Sequence, residues 1–318
     1  MKEKILWVGL IFVMISWVGN YLYFQSKQLE HPIFLDHYYE VYLPDETYLT
    51  FYYLSNKMDH SEVSYLLIDG VEVYPVSHDE FSIWPSNAPQ FEQEFAHQYL
   101  KSISLELPQS VIPLEEGKED IWSFEEVSVT FSNGQTFTSN IGKVNVYRKL
   151  LDDKAFESRI SSGSNQHRSE EAMVVTRPIT VEAITLPFSK DLSEDVFVKV
   201  NLDQEKLKEL NAIYQGGNAP DWFEDEQNLE WNEVEGMSII EEVFPFQLNK
   251  NDWMQLSMQF NPHRKSFLEF GVTILGKSDE EEPFIHKSFI IDHPYLTQQD
   301  INEIIEDKQG GRANEPSF

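Results

Sequence analysis

The chain contains no cysteine. That excludes disulfides, thiolate metal sites, a cysteine nucleophile and a lipid-modified N-terminal cysteine. Basic residues are scarce as well. Lys and Arg number 24 against 54 Asp and Glu in 318 residues, for a formal net charge of −30. Lys2, Glu3 and Lys4 give the first 24 residues a net +1, which leaves −31 for the rest. A surface that acidic repels phosphate backbones, so nucleic acid is not an expected partner. Anionic lipid is not expected either, except through the anchor described below. The catalytic signatures G-x-S-x-G, S-x-x-K and H-E-x-x-H are missing, as are a Gly-rich phosphate loop and the EF-hand pattern. No Asn-x-Ser/Thr sequon occurs. A large cysteine-free extracytoplasmic chain without sequons fits a Gram-positive bacterial source.

What is present is an apolar run, ILWVGLIFVMISWVGNYLYF, from Ile5 to Phe24. It has 20 residues and no charge, and as a helix it spans about 30 Å, the hydrocarbon thickness of a bilayer. Trp7 at one end and Tyr21 and Tyr23 at the other suit the two interfacial aromatic belts. Lys2 and Lys4 precede it and the acidic bulk follows. The positive-inside rule then puts residues 1–4 in the cytoplasm and the C-terminus outside. Between Ser16 and Ser26 no small-x-small cleavage site appears, so residues 5–24 read as an uncleaved signal anchor rather than a removed signal peptide. With so short a tail, any inward signal would pass through a partner helix in the membrane.

The remainder reads as mainly β. A length of 318 residues gives a prior of about two domains, and 41% hydrophobic with 14% aromatic residues supplies sizeable cores. After a connector from Gln25 to Pro32, Leu49 to Leu54 is apolar on both faces, as in a central strand. Val63 to Val73 reads as two strands about the turn pair Asp69-Gly70. Ile103, Leu105 and Leu107 alternate with polar residues. In VSVTFSNGQTF, a three-residue loop with Gly134 as a left-handed bulge pairs Val129 with Phe137 and keeps one face apolar, which a two-residue loop does not. Residues 150–171 are polar around Ser161-Ser162-Gly163-Ser164-Asn165 and read as an exposed linker. Strand patterns resume at Met173 and include Met254, Leu256, Met258 and Phe260. Asp203 to Tyr214 has helical spacing with Gly216 as its cap. Thr297-x-x-Asp300 marks another helix start.

The expected architecture is therefore a transmembrane helix followed by two β-sandwich domains of immunoglobulin-like type, with one or two short helices. The first sandwich covers 31–149, the second 172–294, and 295–318 holds a short helix and a disordered tail. Ile141-Gly142-Lys143 and Leu275-Gly276-Lys277 each follow a strand–turn–strand unit, as a duplication would leave them, although any two β domains contain such hairpins.

One segment stands out as a candidate site, GGNAPDWFEDEQNLEWNEVEG from Gly216 to Gly236. Asp221, Glu224, Asp225 and Glu226 lie close together, and clustered carboxylates could supply several of the six to eight oxygens calcium needs. No other cofactor is indicated. Asp221, Trp222, Phe223, Asp225 and Trp231 form an aromatic–acidic set suited to docking a protein or a cell-wall sugar. The competing reading is a solvated acidic loop whose aromatics fold back onto the sheet. His31, Asp36 and His37 in HPIFLDH, and His286 and His293, have residue types for zinc or a relay, but no third group at a committing spacing. The leading expectation is a non-enzymatic, membrane-tethered binding or accessory protein of a bacterial cell envelope. The alternatives are an extracytoplasmic hydrolase of cell-wall polymer and a cation-dependent adhesion protein.

Overall fold

A computed structural model of the protein describes residues 2–43, 48–76, 91–107, 121–150, 153–164, 167–226, 228–240 and 243–310. The expected disordered tail at 311–318 lies outside the described residues. Helix α1 (Lys2–Ser26) opens the chain. Its stretch Trp7–Ser26 is long and apolar enough to cross a membrane, and none of it is buried against the protein.

The first half of the body comprises β1 (Ile33–Phe34), β2 (His37–Tyr42), β3 (Tyr48–Asn56), β4 (Val63–Ile68), β5 (Val71–Val73), β6 (Gln93–Glu94), β7 (Gln98–Glu106), β8 (Ile121–Phe131) and β9 (Thr136–Tyr147). The second comprises β10 (Phe156–Ser164), β11 (Arg168–Val175), β12 (Ile179–Thr185), β13 (Val196–Asn201), α2 (Gln204–Lys208), α3 (Asn211–Tyr214), α4 (Asp221–Glu226), β14 (Met237–Ser238), β15 (Phe246–Leu248), β16 (Trp253–Phe260), β17 (Phe267–Ser278) and β18 (Pro283–Asp292). Helix α5 (Gln298–Gly310) follows.

The described strands form three sheets. One has the order β1-β3-β7-β6 and another β10-β11-β16-β13-β14. The third runs β15-β12-β17-β2-β9-β8-β4-β5, with β18 on the far side of β17, and extends through both halves. The first core lies between the β1-β3-β7-β6 sheet and the β2-to-β5 end of the long sheet, where Phe34, Phe51 and Phe131 lose nearly all exposure. The second lies between the β10-to-β14 sheet and β12, β17 and β18. Burying side chains of this size contributes roughly 1.5–3 kcal/mol each. The protein is thus mainly β with layered sheets, consistent with sandwiches, behind an N-terminal apolar helix.

Each half follows the same path. In the first, β1, β3, β7 and β6 lie side by side in one sheet, while β4, β8 and β9 do so in the other. In the second, β10, β11, β16 and β13 take the first set of places and β12, β17 and β18 the second. The two Gly-Lys segments do not mark equivalent points in this path. Gly142 lies in β9, the last strand of its half, whereas Gly276 lies in β17, the last but one. The turn at Asn261–His263 carries the chain from β16 in one sheet to β17 in the other.

Several local readings match the structure. Gly134 has φ +82° and Val129 pairs with Phe137. Asp69 and Gly70 both have positive φ between Ile68 and Val71, which pair directly. Asp203 caps α2, accepting from the backbone N–H groups of Glu205 and Lys206. The Asp203–Tyr214 helix is broken into α2 and α3. At α5, Thr297 N–H donates to Asp300 at 2.7 Å and Asp300 N–H to Thr297 Oγ1 at 3.3 Å, a reciprocal cap.

The linker reading of 150–171 is corrected. Residues 156–164 form β10 and 168–175 form β11, paired antiparallel from Phe156↔Val175 to Ser164↔Arg168. Ser and Gly are tolerated there because β10 is an edge strand. Backbone pairing, rather than side-chain hydrophobicity, specifies it.

The halves meet at β2, which runs parallel to β9 on one side (His37↔Gly142 to Tyr42↔Tyr147) and to β17 on the other (His37↔Phe267 to Tyr39↔Glu269). Glu40 is buried at this seam. It accepts from Tyr42 Oη and Tyr147 Oη at 2.8 Å, from Gly271 N–H at 3.0 Å, and from Lys287 Nζ at 2.9 Å. Helix α5 folds back onto the first core through Leu296, Ile301 and Ile304.

Candidate functional site

The segment singled out from the sequence roofs the outer face of the β10-to-β14 sheet. Helices α2 and α4 lie over that face because Leu207, Leu210 and Phe223 pack against Ala172 and Trp253 in a third small core. This roof explains why Gln255 and Ser257, polar partners in the alternation of β16, are buried at 1% exposure. Gln204 fastens α2 to the strand, with Nε2 donating to Trp253 O at 2.7 Å and Oε1 accepting from Trp253 N–H at 2.8 Å.

The aromatic residues of the segment fold inward. Phe223 is buried. Trp222 Nε1 donates to Glu209 at 2.8 Å, and Lys206 Nζ sits 4.4 Å from its ring centre. Lys199 Nζ stands 4.8 Å from the Trp231 ring and donates to Trp231 O and Val234 O, both at 2.8 Å. Asp221 and Asp225 remain exposed on α4. The side chain of Glu224 lies outside the described residues. Glu226 is buried, turned away from Asp221 and Asp225. Among the described residues, no three His, Asp or Glu side chains converge as a metal site.

Instead, Glu226 meets residues from β11. Arg168, 4% exposed, donates to Glu226 O at 2.8 Å, Leu229 O at 2.7 Å and Gln259 Oε1 at 3.2 Å, which staples the end of α4 to the sheet. Glu170 and Glu226 are each 3% exposed. Lys206 Nζ lies 3.4 Å from Glu226 and also bonds Glu235 at 2.6 Å. Burial, and then the neighbouring Glu226 charge, push the Glu170 carboxyl up to about 7, against the opposing pull of Arg168, Ser162 and Lys206. The arrangement is a carboxyl pair with two cations beside it, able to hold a proton near neutrality. It is closed to solvent, so it offers no place for a polymer substrate. Glu226 belongs to the acidic segment singled out from the sequence, whereas Arg168 and Glu170 escaped that reading because they fall in the span taken as linker. Their period-two spacing with Ala172 was the available signal.

Of the histidines, His37 and His293 flank the same stacked ring pair, Tyr52 and Phe267. His37 is fully buried; its Nε2 accepts from Tyr52 N–H at 2.9 Å and its Nδ1 faces Ile141 O at 3.3 Å. That pattern fits the neutral Nδ1–H tautomer, and burial lowers its pKa to about 3. His31 packs on Phe137, and Asp36 pairs with Lys308. His293 bonds Glu269 at 2.9 Å, and His286 packs on Phe156.

The chain leaves α1 under tight restraint. Leu29, 5% exposed, bonds Asn56 in both directions at 2.8 Å, and Gln98 Nε2 donates to Lys27 O at 2.7 Å. Compared with known proteins, the chain matches no family model and no curated protein.

Proposed function

We propose that this is a membrane-anchored, extracytoplasmic binding or accessory protein of a bacterial cell envelope, non-enzymatic, with immunoglobulin-like sandwiches outside the membrane. The observation that carries the reading is α1, whose uncharged, apolar span Trp7–Ser26 is not buried inside the protein. Exposing so many apolar side chains to water is costly, and a bilayer removes that cost. The lysines ahead of the span favour an outward-facing body. The sandwich assignment is supported by strand order. The sets β1-β3-β7-β6 and β10-β11-β16-β13 match the A-B-E-D sheet of that fold, and β4-β8-β9 and β12-β17-β18 match C-F-G. One shared path in both halves also supports an ancient duplication.

Asp221 and Asp225 are the exposed members of the candidate contact surface on α4. Trp222 and Trp231 are engaged with Glu209, Lys206 and Lys199, so they stiffen that surface more than they offer it. Two experiments test the reading. Protease added to intact cells should degrade residues beyond the anchor; full protection would overturn the orientation. Partners should co-purify with the full chain from solubilised membranes, and Asp221→Ala with Asp225→Ala should lower their recovery without changing thermal unfolding. Unchanged recovery would remove α4 from the contact surface.

A further inference from the structure

We propose that the cleft between the end of α1 and α5 binds the head group of a zwitterionic phospholipid of the phosphoethanolamine type. The inference rests on the membrane-anchor reading, because it places the cleft at head-group level. The cleft is about 290 Å³ and is lined by Ser26, Lys27 and Gln28 from the helix exit, His97 and Gln98 from the start of β7, and Asn302, Ile305, Glu306 and Gln309 from α5. That volume lies at the lower end of the range for small-molecule sites.

Two observations point to such a ligand. The first is position. The cleft opens where α1 ends, and the rings of Tyr23 and Phe24 lie 6.3 and 6.0 Å from the His97 ring. Aromatic residues of this kind mark the interface between hydrocarbon and head groups. The restraints at Leu29 and Lys27 fix the cleft there rather than leaving it on a flexible tether.

The second is chemistry. Lys27 supplies a cation on one wall for a phosphate, and Glu306 supplies an anion on the opposite wall for an ammonium. A head group carrying both charges satisfies both walls. A purely anionic head group would meet Glu306 and an acidic body of net −31 without compensation.

The test uses the full chain in detergent, analysed by native mass spectrometry after addition of phosphatidylethanolamine, phosphatidylglycerol or diacylglycerol. Phosphatidylethanolamine is expected to remain bound at least fivefold more than either of the others. Lys27→Ala with Gln309→Ala should remove most of that excess, and Glu306→Gln should bring phosphatidylethanolamine down to the level of phosphatidylglycerol. Lys27 and Glu306 are exposed, so their replacement leaves the cores intact. Equal retention of all three lipids, a preference for phosphatidylglycerol, or variants that bind as the parent does would each overturn the proposal. Separately, extraction of the parent chain from membranes by carbonate would overturn the anchor reading, and with it the site. An integral chain lacking the lipid preference would overturn the site alone.

Discussion

Lys287→Ala provides the sharpest test of how the two halves are held together. Glu40 is buried, and among the described residues its carboxylate has one cationic partner, Lys287, at 2.9 Å, alongside three neutral donors. Lys287 also lies 5.0 and 5.3 Å from the ring centres of Tyr42 and Tyr147. Removing the cation strands a buried carboxylate among tyrosines and a backbone amide. Breaking a buried pair from one side costs about 3–5 kcal/mol. At ~2–4 °C per kcal/mol for large domains, the melting temperature should fall by roughly 10 °C. The assay is thermal and urea unfolding of the detergent-solubilised full chain, followed by tryptophan fluorescence. The double variant Glu40→Gln with Lys287→Met should recover most of the loss, because it removes the stranded charge along with its partner. A loss below about 1 kcal/mol in Lys287→Ala would refute the reasoning, since it would mean that water reaches Glu40. A double variant as unstable as the single one would refute it too.

Further outcomes follow from other buried groups. His37 has a folded-state pKa of about 3, below the unfolded value of 6.5. Its contribution is therefore fully present above pH 6.5 and is lost as pH falls from there toward 3, by up to ~5 kcal/mol at about 1.4 kcal/mol per pKa unit. His37→Gln should flatten that part of the stability–pH profile. Glu170 acts with the opposite sign. Its folded pKa of about 7 exceeds the model-peptide value of 4.5, so stability falls as pH rises between them. Glu170→Gln should raise the melting temperature at pH 8 and leave it nearly unchanged at pH 4. Gly142→Ala should cost more than ~2 kcal/mol in urea unfolding. At φ +87° its Cβ would stand 2.5 Å from His37 O, across the parallel β2–β9 pairing.

Much of the local structure is legible in the sequence, because nearest neighbours decide it. An uncharged 20-residue run that crosses a bilayer is helical, since lipid leaves the backbone no other partner. Asn133-Gly134 and Asp69-Gly70 impose positive φ and thereby set hairpin registers. Thr297 and Asp300 satisfy one another's backbone within a single turn. Alternation in β7 and β16 assigns the inward faces. By contrast, β10 carries no apolar pattern, and its identity comes from the hydrogen bonds that β11 offers. The depth of Gln255 and Ser257 depends on helices more than 25 residues away in the chain. The separation of Glu226 from Asp221 and Asp225 depends on Arg168, which reaches α4 only once β11 is in place. Glu40 and Lys287 lie 247 residues apart and meet only when β2 docks beside β17. Such long-range pairings leave no periodic trace, because each is a single contact selected by burial in the folded chain.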